Sequence, residues 1–91
     1  METLYFCYIL RCADGSYYTG WTLDPLRREK QHNRGTGAKY TRMHRPVSLV
    51  YVERQQDRSA AMRREKQIKQ LKHDQKEKLI LSDPYDPQKL S

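Results

Sequence analysis

Two phenols, a guanidinium, an imidazole and a carboxylate stand out in this sequence because of where they fall. Tyr8 and Tyr18 sit in apolar, aromatic runs near the N-terminus, Arg28 and His32 are spaced by one helical turn, and Glu65 lies far downstream among basic residues. Arginine carries a permanently charged planar fork that fits a phosphate in a way lysine does not. A carboxylate is a hard oxygen ligand, and Mg²⁺ keeps several waters and needs only one or two carboxylates beside a substrate phosphate. Tyrosine titrates near pH 10, so a phenol can take a proton at neutral pH only where cations or another base favour the phenolate. Such groups suit the attack of water on a phosphodiester, which needs a nucleophilic water, stabilised charge on the phosphoryl oxygens and help for the departing oxyanion. Taken singly, each has a plainer use. A strand tyrosine packs with its hydroxyl satisfied, Arg28 and His32 make a solvated helix face, and Glu65 pairs with Lys69 or Arg64.

Positioning these groups falls first to the stretch Leu4–Gly20, two aromatic runs joined by Ala13-Asp14-Gly15, a hairpin signal. With Asp14-Gly15 as a two-residue turn, Tyr8 and Tyr18 fall on opposite faces of the sheet. With Ala13-Asp14-Gly15 as a three-residue loop closed by a left-handed Gly15, Cys12 pairs with Ser16 and the two phenols become diagonal neighbours on one face. The second register is preferred, because glycine is the residue that such a loop takes at its last position.

Asp24-Pro25 caps a helix predicted from Pro25 to about Asn33, ending before Gly35 and Gly37. Leu26 is its one clearly apolar interior residue, so burial does not account for this helix. Val47–Val52 is apolar on both faces and reads as a central strand. Asp57 or Ser59 caps a helix running to about Leu71, with Ala61, Ile68 and Leu71 on one side and Glu65 at the edge of that stripe. A short helix restarts near His73-Asp74 and stops at Asp83-Pro84. The expected order is β-β-α-β-α-α, an α+β domain over residues 1–82 with an irregular tail at 83–91. Trp21 is assigned to the core.

Eighteen Lys and Arg against eleven Asp and Glu give a net charge of +7, which favours a polyanionic partner. From Arg27 to Arg45 there are seven basic residues against Glu29 alone, interleaved with His32, His44 and Tyr40. Arg27, Lys30, Arg34, Lys39, Tyr40 and Arg42 are therefore candidate nucleic-acid contacts, with Thr41 beside them. Cys7 and Cys12 fall on opposite faces of one strand and cannot bridge each other, which suits a reducing, cytoplasmic setting. The apolar run Leu4–Leu10 is too short for a membrane span and follows Glu2 rather than a basic segment, so no membrane role is expected.

With Cys7-Tyr8-Ile9, Tyr18-Thr19-Gly20, Arg28, His32 and Glu65 in this order, the chain resembles the GIY-YIG nuclease superfamily over roughly residues 4–80. It is closest in look to the small stand-alone bacterial proteins of the YhbQ type, and related to the Slx-type endonucleases through Arg27-Arg28 and Gln31-His32-Asn33. The resemblance implies a three-stranded, mostly antiparallel sheet with flanking helices, and an endonuclease that hydrolyses DNA phosphodiester bonds with Mg²⁺ or Mn²⁺. It makes Tyr8, Tyr18, Arg28, His32 and Glu65 the catalytic set and Glu65 the metal ligand. It also implies a tyrosine base; Tyr18 is given that role and Tyr8 an orienting one. Cys7 stands where the first motif has glycine and Thr19 where the second has isoleucine, and neither position supplies catalytic side-chain chemistry. The competing expectation is a non-catalytic module that holds nucleic acid, DNA before RNA, with the same basic face. A protein partner is compatible with either reading.

Overall fold

Two aromatic, apolar runs joined by Ala13-Asp14-Gly15 produce a hairpin at the N-terminus of the chain, whose residues 3–90 are described by a computed structural model. Strand β1 (Tyr5–Arg11) pairs antiparallel with β2 (Tyr17–Thr22), Leu10 opposite Tyr18 and Tyr8 opposite Gly20. The loop is the three-residue one: Cys12 N–H donates to Ser16 O at 2.8 Å, Gly15 N–H donates to Cys12 O at 2.9 Å, and Gly15 takes φ 85°. Tyr8 and Tyr18 thus share a face, with ring centroids 6.5 Å apart.

Strand β3 (Ser48–Gln55) pairs antiparallel with β1, and the sheet order is β2-β1-β3. The central strand is therefore β1, not the apolar run at 47–52. That run is apolar on both faces because helices cover both faces, which an edge strand shares with a central one. Its outer backbone is occupied by other partners. Asn33 Oδ1 accepts from Val47 N–H at 2.7 Å, Asn33 Nδ2 donates to Val47 O at 2.9 Å, and Glu29 Oε2 accepts from Leu49 N–H at 2.6 Å.

Helix α1 (Pro25–Arg34) starts where Asp24 accepts from Arg27 N–H and ends at Gly35, whose φ of 84° is left-handed. Leu26 is exposed, and the helix buries Pro25 and His32 instead. The loop that follows contains a one-turn helix, α2 (Lys39–Arg42), which the sequence pattern did not reveal. Asp57, rather than Ser59, caps α3 (Arg58–Lys69) by accepting from Ala60 N–H at 2.8 Å. Helix α4 (His73–Ser82) follows.

One cluster joins Tyr8, Leu10, Cys12, Val47, Leu49 and Val52; the other joins Cys7, Ile9 and Tyr51 to Ala61 and Ile68 of α3, with Leu79 and Ile80 of α4 against it. Residues 83–90, expected to be irregular, hold a 3-10 turn at Pro87–Leu90, and Tyr85 and Leu90 pack on the first cluster. Tyr85 N–H also donates to Val50 O at 3.0 Å. Both cysteines are buried free thiols. Among the described residues no helix is long and apolar enough to cross a membrane.

Candidate active site

Strand β1 presents Tyr8 to the face under α1, where its ring lies across Gly20 of β2. A Cβ on Gly20 would fall 2.5 Å from the Tyr8 hydroxyl, so the strand pair has room for this phenol only with glycine opposite it. The hydroxyl meets His32 Nε2 at 2.9 Å, in a bond buried between strand and helix. His32 is fully buried, and its other nitrogen, Nδ1, lies 2.6 Å from Thr41 Oγ1, which in turn donates to Ala38 O at 2.9 Å. Gly37 passes so close that a Cβ there would collide with the His32 ring.

Burial, followed by the positive charge of Arg28, pushes the His32 imidazole down to about 4, so it is neutral at physiological pH. Burial pushes the Tyr8 phenol up to about 12; Arg28 pulls it back through hydrogen bonding and charge, while Tyr18 and Glu65 raise it further. The guanidinium, the second phenol and the carboxylate are thus all close enough to bias one hydroxyl. Arg28 Nη1 donates to Gln31 Oε1 at 2.8 Å, which holds the fork on the inner side of α1. Tyr18 is half-buried, with ring centroids 5.1 Å from His32 and 6.4 Å from Tyr40.

Glu65 is half-buried on α3 and makes one long ion pair, 3.6 Å, with Lys69. Its neighbour Arg64 turns away to grip Glu53, with Nε donating to Oε1 at 2.6 Å and Nη2 to Oε2 at 3.1 Å. Tyr51 and Gln55 also donate to Glu53, at 2.5 and 2.6 Å, and Glu29 serves Leu49 N–H. Of the carboxylates near β1, Glu65 is the one whose oxygens are least used by the fold. A single hard oxygen donor fits a cation that takes its other ligands from water and phosphate. It does not fit an all-protein metal cage, and among the described residues no group of three or more His, Cys, Asp and Glu could form one.

The basic candidates Arg27, Lys30, Arg34, Lys39 and Arg42 are all exposed, as is Tyr40, whose hydroxyl donates to Ser16 Oγ at 2.6 Å and whose ring stacks on His44 at 4.3 Å. Thr41, grouped with them in the sequence, is fully buried and faces His32 rather than solvent. Trp21, assigned to the core, is half-buried and packs against the cluster of Cys7, Ile9, Tyr51, Ala61 and Ile68. The Arg58 guanidinium lies 5.7 Å above its ring, and it lines an open groove of about 370 Å³ with Arg27, Arg28 and Gln31. Sequence reasoning also missed Gly20 and Gly37 as packing requirements of Tyr8 and His32. The signal for Gly37 was a second glycine two residues after the one that ends α1.

A sheet of β2-β1-β3 order carrying paired tyrosines under a helix with a half-buried Arg28 and a buried His32 defines a class. The sequence profile of the GIY-YIG catalytic domain matches residues 4–78, and the chain belongs to the GIY-YIG family. It is 51% identical to a UPF0213 protein of Halobacterium salinarum over 77 residues, 85% of this chain and all of that one. Against a UPF0213 protein of Staphylococcus aureus it is 49% identical over 76 residues, 84% of this chain and 93% of the other. Two solution NMR structures resemble it. The UPF0213 protein BH0048 of Bacillus halodurans has a TM-score of 0.58 at 41% identity, covering 96% of this chain and 92% of that one. The E. faecalis protein EF2693 has a TM-score of 0.59 at 42% identity, covering 90% of each chain. A nuclease-type domain with a nucleic-acid substrate is what this family membership indicates.

Proposed function

We propose that this protein is a divalent-metal-dependent endonuclease that hydrolyses DNA phosphodiester bonds at the site around Tyr8. The observation that carries the proposal is the buried Tyr8–His32 hydrogen bond, with Arg28, Tyr18 and Glu65 all acting on the same phenol. Arg28 binds the scissile phosphate and stabilises the charge that develops on its oxygens. Glu65 would hold Mg²⁺ or Mn²⁺, and that cation would supply Lewis-acid stabilisation of the phosphate and leaving oxygen. Tyr8, held as a neutral phenol, orients the attacking water. Tyr18, half-exposed on the open side, takes the water's proton in its phenolate form. Arg27, Lys30, Arg34, Lys39, Tyr40 and Arg42 form the approach surface for the DNA backbone.

The test is incubation of the protein and its Glu65→Ala variant with labelled plain, single-stranded and branched DNAs, with Mg²⁺, Mn²⁺ or chelator. Metal-dependent cutting by the parent alone is expected. Equal cutting by both proteins would remove Glu65 from the mechanism. No cutting under any cation, with binding that weakens at a slope of about −0.9 per duplex phosphate in log salt, would establish a binding module instead.

A further inference from the structure

The chain Thr41–His32–Tyr8 runs from a backbone carbonyl to the centre of the site, and its proton directions can be worked out from its end. A neutral imidazole has one N–H and two nitrogens, and both nitrogens of His32 are engaged, Nε2 with Tyr8 at 2.9 Å and Nδ1 with Thr41 at 2.6 Å. Thr41 has one hydroxyl proton. At 2.9 Å from it stands Ala38 O, a group that only accepts. With the hydroxyl donating to Ala38 O, its oxygen must accept from Nδ1–H, and Nε2 is left with a lone pair facing Tyr8, which donates. Every proton in the chain then has one acceptor. Ala38 N–H also approaches Nδ1, but at 3.4 Å it is the long contact and does not compete with the one at 2.6 Å.

We infer that Thr41 is a positioning residue which fixes the His32 tautomer with the proton on Nδ1, and so commits the Tyr8 proton inward to Nε2. The phenol oxygen then turns its lone pairs to the open side, where it accepts from the attacking water. The chain ends on a carbonyl that cannot take up a proton. It therefore holds the ring in one orientation and passes no proton beyond His32. This deepens the nuclease reading and rests on it for its catalytic consequence, although the tautomer itself does not depend on it. Thr41 belongs to α2, the turn it forms with the exposed candidates Lys39, Tyr40 and Arg42, so the same element reaches both the approach surface and the buried ring.

The decisive measurement is nitrogen NMR of the His32 ring in the wild-type protein, which needs no substrate. A protonated Nδ1 with an acceptor-type Nε2 is expected; a protonated Nε2 overturns the inference whatever the nuclease assay shows. Thr41→Val removes the acceptor at nearly constant volume, and Thr41→Ser retains it. Thr41→Val is expected to mix or invert the tautomer and lower kcat by roughly 10²-fold with KM for DNA unchanged, and Thr41→Ser to restore both. An unchanged tautomer and kcat in a folded Thr41→Val protein would overturn the positioning role. If wild type cuts no DNA, the nuclease reading fails, and the NMR result still decides the tautomer.

Discussion

The two faces of one strand, β1, are put to different uses. Its odd-numbered side, Cys7 and Ile9, is closed by Ala61 and Ile68 of α3 into an apolar cluster. Its even-numbered side packs Leu10, with Cys12 just past the strand end, into the other apolar cluster and presents Tyr8 beside them to a helix whose inner surface is polar, where His32, Arg28 and Gln31 are arranged by hydrogen bonds. Apolar packing supplies stability without direction; the polar packing around Tyr8 supplies direction at the cost of dehydrating each group. Glutamates show the same division. Glu53 is saturated by Arg64, Tyr51 and Gln55, whereas Glu65 has one long ion pair, to Lys69.

Paired substitutions on α3 give the sharpest separation. Glu65→Ala should abolish cleavage, by roughly 10³-fold, and leave the melting temperature nearly unchanged. Ile68→Ala should destabilise by about 2–5 kcal/mol and leave the activity of the folded fraction intact. Equal damage from the two in either assay would erase the distinction between the faces. Arg28→Lys retains the charge and loses the fork, and kcat should drop by about 10²-fold; full activity in the lysine variant would make the site a point-charge site.

Gly37→Ala drives a methyl into the His32 ring and should cost about 1–3 kcal/mol, read by denaturant unfolding, whereas the same change at an open glycine would cost less. The His32 pKa of about 4 lies below its ordinary 6.5, so the unfolded chain binds the extra proton between these values. Stability should accordingly be level above pH 6.5 and fall as the pH drops from 6.5 towards 4, and His32→Gln should flatten that limb in pH-dependent melting. Leu26→Ser, on the exposed side of α1, should stay within about 0.5 kcal/mol of wild type.

Legibility followed the same division between faces. The hairpin register, the cap at Asp24 and the stripe Ala61–Ile68 rest on local turn chemistry and periodicity, and the sequence carries both; for α3 it left Asp57 and Ser59 as alternative caps. Strand order escaped because two-sided apolarity reports cover by helices, not neighbours in a sheet. Leu26, the one clearly apolar residue within α1, is exposed; α1 docks through His32, Asn33 and Glu29, and polar docking has no hydropathy signature. Tyr8, Tyr18 and His32, which the fold brings together, stood out by order and type. Their supports, Thr41, Gly37 and Gly20, did not, because each matters only through a partner remote in the chain.

The docking of α1 on β3 through Asn33 and Glu29 also sets how this domain tolerates change. Hydrogen bonds lose their strength within a few tenths of an ångström and a few tens of degrees, while greasy contacts permit sliding. Helix α1 is therefore keyed to the sheet rather than bedded in it. An edit as small as Asn33→Asp, which deletes the donor to Val47 O, loosens one of the points at which the helix that carries Arg28 and His32 is keyed to the sheet.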